Sequence, residues 1–429
     1  MGPAAQGASG EPGVSPLPTA APEAVRIDCG ADIGPFIPRA SGFLLSVSGT
    51  QPADQWIKPL RPRLWRTRVS PWDIGRNQTG LAGAKRVAAW GATIELVVSD
   101  DYMADREEHG QKPFPVDLAT LDATIAGDLK QVHDAGFKAG WDIWNEPDGT
   151  WTGGLEKMLG PWLHACHTFR RLDPQATLVG PSTIDDLACK KFLEWAQAND
   201  AMPDVVSWHE NGDQPQNIPA HVAAIRRLLA ERKVSPRPLV CNEIVDAPHQ
   251  TDPGLLVWFF AALQRADVAG ACHSCWADAD GKTPNGFNQS LDGILTPEGR
   301  PRAPWWIYRY YADFEGRALK LQQARTVDGV AAADWPARKL RILLGTKGRE
   351  EASDVVVRLI GLPARFDPTP PKKIHVTARK IPNSGWQPVS ETGAVFETDY
   401  PLSDAIKLVL PSMGTAEGYY VTVTWDAPQ

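Results

Sequence analysis

Residues 139–147 read AGWDIWNEP, a short apolar run that ends in Asn–Glu–Pro. An aromatic and β-branched run of this length is the composition of a buried strand, and a proline just beyond it suits the first position of a helix. Residues 237–243, RPLVCNE, repeat the arrangement, with Asn–Glu again at the end of an apolar stretch. Outward from these two, six more runs have the same character: 42–48 (GFLLSVS), 64–70 (LWRTRVS), 93–99 (TIELVVS), 177–182 (TLVGPS), 204–210 (DVVSWHE) and 269–276 (AGACHSCW). They are nearly continuous in apolar residues, as parallel strands covered on both faces require. Helical segments over 117–135, 155–172, 187–199, 216–233 and 252–266 lie between them, some opened by start signals such as Asp117 and Asp252-Pro253. Strands alternating with helices eight times predict an α/β chain closed as a (β/α)8 TIM barrel. The weakest segment is the first helix, broken by Pro52, Pro59 and Pro62.

Beyond Arg317 the texture changes. KLRILLGTK, ASDVVVRLI, KKIHVTARKI, DAIKLVLPS and GYYVTVTW are β-rich runs separated by Gly, Pro and Asp turns, which predicts an accessory all-β sandwich. The expected organisation is a disordered leader or linker over 1–25, strands at 26–40 that join the sandwich, the catalytic barrel over 41–316 and the sandwich over 317–429. None of the sandwich strands carries an exposed aromatic cluster, only Trp386 and Trp425 lying near them, so its expected role is to brace the barrel.

Composition narrows the function classes. A net charge of -7 with no basic run argues against a nucleic-acid partner. No apolar stretch approaches the roughly 20 residues of a membrane span. The 17 tryptophans suit either sugar stacking or a large-residue core. Cys272 and Cys275 form a lone CxxC without a second pair, which reads as a strand rather than a zinc site, and no metal is expected. The leader lacks the apolar core of a signal peptide. A secreted or periplasmic protein whose signal has been removed is slightly favoured over a cytoplasmic one, and the oligomeric state is not legible.

Polar residues collect at the carboxyl ends of the strands, the face on which barrels build their sites. Glycosidic bond cleavage needs two carboxyl groups flanking one bond. Glu146 and Glu243, on strands from opposite sides of the ring, meet that requirement. Each alone would also fit the first turn of a helix. A carboxyl desolvated against Trp144 or Trp276 would have the raised pKa of an acid.

The stretches DIWNEPDGTW (142–151), SWHENG (207–212), LVCNE (239–243) and LDGILTPEGRPRAPWWIYRYYADFEGR (291–317) resemble the clan A retaining glycoside hydrolases, and most of all glycoside hydrolase family 39. That family includes β-xylosidases, α-L-iduronidases and bacterial endoglycosidases of exopolysaccharide. The resemblance spans about residues 26–320. It implies a retaining hydrolase of oligosaccharides or polysaccharides that uses no cofactor, with Glu146 as general acid/base and Glu243 as nucleophile. It places Asn145 on the sugar 2-hydroxyl, His209 or Glu210 beside the nucleophile, Trp276 beneath the sugar ring, and Arg66 or Arg68 at the floor. Trp144 and Asn242 complete the expected substrate-binding set. Glu210 stays a rival to Glu243. Asp148-Gly149-Thr150-Trp151 departs from the family pattern and leaves the outer subsites open, as do Asn211-Gly212-Asp213 and the polar 278–292 loop. A transglycosylase with the same site, or a non-catalytic carbohydrate-binding relative, are the alternatives.

Overall fold

The computed structural model describes residues 22–70, 80–99, 117–150, 154–277, 290–366, 370–391 and 393–426. Trp72, Asp73, Asp100, Asp101, Tyr102, Trp151, Asp278, Asp280, Asn285, Asn288 and Gln289, named above or candidates for sugar contact, lie outside these residues, as do residues 1–21 of the leader.

The first strand, β1 (Glu23–Pro35), belongs to the accessory sheet. The next eight close a barrel in chain order with every neighbouring pair parallel: β2 (Gly42–Leu44), β3 (Leu64–Thr67), β4 (Thr93–Val97), β5 (Gly140–Asp142), β6 (Thr177–Thr183), β7 (Val205–Glu210), β8 (Leu239–Ile244) and β9 (Gly270–His273). Phe43 opposite His273 makes the closure of β2 on β9. The Pro-broken segment after β2 forms one turn of helix, α1 (Asp54–Ile57), and a 3-10 turn, because prolines leave no room for a longer ladder. The other described helices are α2 (Leu81–Ala88), α3 (Leu118–Ala135), α4 (Pro147–Thr150), α5 (Leu155–Leu172), α6 (Asp186–Ala198), α7 (Ile218–Glu231), α8 (Pro253–Ala266) and α9 (Ala303–Tyr311). Asp117 caps α3 by accepting from the Ala119 amide, and Gly136 ends it in the left-handed region at φ 77°.

The strand interior is layered. Leu64, Val240 and Cys272 form a small apolar layer of their own. Outward residues of the barrel strands, among them Trp65, Ile94, Leu96, Trp141, Trp208 and Cys241, belong to the main core. Burial pushes the Cys272 thiol far above its usual range, so it stays protonated and acts as core filler.

The accessory strands are β10 (Arg317–Gln322), β11 (Val327–Asp334), β12 (Lys339–Thr346), β13 (Ser353–Ile360), β14 (Lys373–Ile381), β15 (Ala394–Pro401), β16 (Ala405–Met413) and β17 (Gly418–Thr424). With β1 they form one nine-stranded sheet in the order β15-β14-β17-β12-β11-β10-β1-β13-β16, antiparallel except where β1 runs beside β13. Alternate residues of its strands, such as Val355, Val357 and Leu359 with Ile406, Leu408 and Leu410, converge on a second core. The accessory unit is therefore sandwich-like, but a single ladder curled over its own apolar face.

β11 and β12 are apolar on both faces. Leu340, Ile342 and Leu344 point into the sheet's own core, whereas Val330, Ala332 and Leu343 join the barrel core. The reason is α8, which is buried along nearly its whole length and packs across both strands. Its Gly254 amide donates to Ala416 O at 2.8 Å and the Trp258 indole donates to Gly345 O at 3.0 Å. Two glycines permit this approach: a Cβ on Gly345 would lie 2.3 Å from Gly254 O. A second tie joins Trp386, in the turn after β14, to the barrel. Buried Arg302 lies under its ring at 4.7 Å, donates to Trp386 O at 3.1 Å, and donates to Gly293 O and Leu295 O at 2.8 Å. Gly345→Ala is expected to wedge α8 off the sheet and lower unfolding stability by about 1–3 kcal/mol, read as a lower denaturation midpoint in guanidinium chloride.

Candidate active site

The polar layer above Leu64, Val240 and Cys272 begins with Arg66 on β3, 1% exposed. Its Nε and Nη2 donate to Asp142 Oδ2 at 2.8 and 2.6 Å, Nη2 also to Asn145 Oδ1 at 2.8 Å, and Nη1 to Glu243 Oε1 at 2.8 Å. Asp142, fully buried at the end of β5, also accepts from the Ser182 hydroxyl at 2.9 Å and from Asn242 Nδ2 at 3.2 Å. Ser182 in turn bonds Ser207 at 2.8 Å. Glu95 on β4 joins this layer through Asn242.

Burial, with the charge of Asp142 beside it, pushes the Glu95 carboxyl up to about 8 against the pull of Arg66 and Asn242. Burial likewise raises Asp142, although Arg66 and Ser182 oppose it.

The mouth lies above. Glu146 follows β5 with its backbone in the left-handed region, φ 48°, a strained setting for a residue with a side chain. That backbone is held on both sides: its amide donates to Ser182 O at 2.9 Å, and its carbonyl accepts from the Thr150 amide at 2.7 Å. Asn145 is fixed similarly, its amide on Ser99 Oγ at 3.1 Å. Because Arg66 occupies the Asn145 side-chain oxygen, the Nδ2 amine is the group left to donate to a ligand.

Glu243 and Asn242 both face inward because β8 carries a bulge. Trp208 pairs with Cys241 and His209 with Glu243, while Cys241 and Ile244 face Ala271 and His273 across β9. One extra residue on β8 thus turns two successive side chains to the same side. Glu243 is 9% exposed and takes a donor on each oxygen, Arg66 on Oε1 and Asn211 Nδ2 on Oε2 at 3.1 Å. Ser274 orients Asn211 by donating to its Oδ1 at 2.8 Å.

His209 links the two carboxylates. Its Nδ1 is 2.8 Å from Glu146 Oε1 and 3.6 Å from Glu243 Oε2. A carboxylate only accepts, so Nδ1 carries the proton, and Nε2 is buried without a partner among the described residues. One atom from each of Glu146, His209 and Glu243 lies within 4.8 Å of the others. This group is also compact enough to hold a metal ion, although glycosidic hydrolysis by paired carboxylates requires none.

The carboxyl of Glu146 departs from the expected raised pKa. Burial, the largest single influence, raises it, but the His209 hydrogen bond, the charge of His209 and that of Arg66 together bring it below the usual range. Its side chain remains 24% exposed, and a sugar covering that part would add desolvation, the raising influence.

Several expected residues stand elsewhere. Glu210 points away from the mouth, accepting from Trp208 Nε1 at 2.6 Å and from His221 Nδ1 at 2.9 Å. Trp144 is 3% exposed and lies in the main core. Asn242, at 0% exposure, lies beneath the mouth and holds Asp142 instead of reaching a ligand. Residues two apart on a strand share a face, yet β3 ends at Thr67, so Arg68 has left the pleat and donates to Ser70 O at 3.1 Å. Trp276 is part-exposed, its indole donating to Val245 O at 3.0 Å, two residues beyond Glu243. Asp142, Ser182 and Glu95 were not singled out from the sequence. Asp142 sits within the quoted strand, and only its mid-strand charge could have marked it.

With this geometry in view, the fold can be compared with known ones. A protein from Neocallimastix frontalis superimposes with a TM-score of 0.79 at 22% identity, covering 95% of this chain and 100% of that one. The glycoside hydrolase family 39 enzyme from Xanthomonas axonopodis pv. citri gives 0.67 at 15% identity, covering 95% and 98%. The chain has the fold of these two proteins. No family model matches the sequence. A 3-O-alpha-D-galactosyl-alpha-L-arabinofuranosidase of Bifidobacterium longum subsp. longum is 27% identical over 173 residues, 39% of this chain and 14% of that protein. The chain thus spans only a small part of the length of the curated relative it matches.

Two expectations follow from the buried charges. The folded Glu95 carboxyl keeps its proton up to about 8, whereas the unfolded one loses it at the ordinary carboxylate range. Stability therefore falls as pH rises through that window, and the melting temperature of Glu95→Gln should fall less than that of the parent between pH 5 and pH 8. Removing His209 leaves burial to act on Glu146 with less opposition. In His209→Phe the Glu146 carboxyl, followed by NMR titration, should give up its proton at higher pH than in the parent, and an unmoved titration would contradict this account.

Proposed function

We propose that the protein is a retaining glycoside hydrolase that cleaves a glycosidic bond by double displacement. The observation that carries this reading is the approach of Glu146 and Glu243 across the barrel mouth, one oxygen of each lying within 4.8 Å of the other, closer than a pair that must hold a water between its carboxyl groups needs to be. Retaining enzymes keep their carboxyl groups roughly 5–5.5 Å apart, whereas inverting ones leave about 6.5–9.5 Å for a water between them.

In the first step Glu243 attacks the anomeric carbon, the glycosidic C–O bond breaks, and Glu146 gives its proton to the leaving oxygen. In the second, Glu146 takes a proton from a water whose oxygen attacks the same carbon, and the bond to Glu243 breaks. Arg66 and Asn211 hold the plane of the Glu243 carboxylate, each on one oxygen. Asn145 Nδ2, oriented by Arg66, is the donor for the sugar 2-hydroxyl, a contact that strengthens at the transition state. Trp276, part-exposed beside the end of β8, provides the apolar platform for the ring. The relative from Bifidobacterium is by its name an α-L-arabinofuranosidase. Aryl α-L-arabinofuranosides and aryl β-D-xylosides are therefore the first substrates to test.

Glu243→Ala should abolish turnover on every glycoside. Glu146→Ala should still cleave a dinitrophenyl glycoside, whose leaving group needs no proton, and then stall at the second step. Added azide should restore its turnover and give a glycosyl azide of retained configuration, identified by NMR. An azide product of inverted configuration would reverse the two roles.

A further inference from the structure

A cavity of about 260 Å³ opens between the ends of β6 and β7, immediately outside the catalytic mouth. It is below the roughly 300–1,000 Å³ of drug-sized sites, a size for one ring rather than a chain. Two residues connect it to the mouth. His209, which bonds Glu146, and Asn211, which bonds Glu243, both line it. Ile184 forms one wall and also flanks the acid/base loop, its amide donating to Asp148 at 3.1 Å.

The polar groups of the lining are already arranged, beside apolar walls from Ile184 and Phe259. Glu210, turned away from the catalytic centre, accepts from Trp208 Nε1 and His221 Nδ1, and both Glu210 and His221 border the cavity. The Glu210 hydrogen bond, ahead of the burial that opposes it, raises the His221 pKa, and the two side chains meet at 2.9 Å on the cavity wall. Asp185 and Asp186 stand at the rim, and Asp186 is bound at 2.8 Å by Lys190. Asn217, at the head of α7, makes no capping bond, so its amide is free of that duty. Carboxylates and amides with spare hydrogen-bonding capacity suit hydroxyl groups, and Asp185, Asp186 and Glu210 set against His221 and Lys190 leave an acidic excess that disfavours an anion.

We infer that this cavity is the subsite for the leaving-group sugar, and that it selects a neutral sugar over a uronic acid through Asp186, Glu210, Asn217 and His221. The inference rests on the hydrolase reading for its role, and His209, which bonds Glu146 and lines the cavity, sets it beside the acid/base. The presence of a sugar site there does not depend on that reading. Glu210, a rival nucleophile by sequence, then acts in recognising the leaving group.

Gly212 lines the cavity, a Cβ there meets no atom within 4 Å and its backbone is not left-handed, so Gly212→Phe adds a ring at the cavity wall at little cost to folding. Asn217→Leu removes a hydrogen-bonding group without removing a cap. The measurement is kcat/KM for a neutral disaccharide divided by kcat/KM for the dinitrophenyl glycoside of the same glycone. That ratio should fall about tenfold in each variant. In parallel, ligand-observed NMR on the full chain uses D-xylose, D-galactose and D-glucuronate as probes. Binding of a neutral sugar that is lost in Gly212→Phe, with no binding of glucuronate, supports the inference. A ratio unchanged in both variants, no sugar bound by the parent, or sugar binding equal in parent and variants overturns it. If the parent cleaves no glycoside, the hydrolase reading falls, and the NMR measurement alone still decides whether the cavity holds a sugar.

Discussion

A guanidinium with almost no contact with water stands at the centre of the barrel. Burying Arg66 is costly unless its charge and donors are met, and the fold meets them with Asp142, Asn145 and Glu243. Those partners come from β5, the turn after it and β8, so one side chain on β3 ties together three parts of the ring. The same bonds set Glu243 and orient the Asn145 amide. The polar layer beneath follows from this choice: Asp142 needs Ser182 and Asn242, and Ser182 needs Ser207. Glu95, close to Asp142, answers the crowding of negative charge by keeping its proton. Such a layer is a high-stakes arrangement, because a buried carboxylate deprived of one partner has no solvent to replace it.

The mouth above that layer is built from departures from regular strands. A bulge on β8 brings Asn242 and Glu243 to one side. An irregularity on β6 places Ser182, also left-handed at φ 51°, where it can reach Asp142. Glu146 is itself left-handed. Regular pleating would send alternate side chains out to the helices, as it does with Trp208 and Glu210. Each departure moves one polar group from wall to interior, and their accumulation is what permits five polar side chains to converge at a single mouth.

The accessory sheet supports this arrangement at a distance. α8 follows β8 and lies against β11 and β12, so the strand carrying Glu243 is backed by the sheet through its own helix. Arg302 joins Gly293 and Leu295, which lie just past Asp292 near the mouth, to Trp386 of the accessory unit. A curled sheet with one face in its own core and two strands offered to the barrel explains why β11 and β12 are apolar on both faces.

The strand and helix periods, the change of texture after Arg317 and the two Asn–Glu pairs at strand ends were legible in the sequence, because they depend on local composition and on residues a few positions apart. Those features sufficed for a barrel with an accessory β unit and for the pairing of Glu146 with Glu243. Which of Arg66 and Arg68 binds Glu243 was not legible, since it turns on where β3 stops. Nor was the fate of Glu210 or Asn242, because a bulge changes the facing of a side chain without a mark in composition. His209 as the partner of Glu146, and the lowered pKa that follows, depend on two strands that are not adjacent in the ring. Only the closed barrel sets the distances between their ends, and at a few ångströms those distances decide which carboxylate the proton on Nδ1 serves.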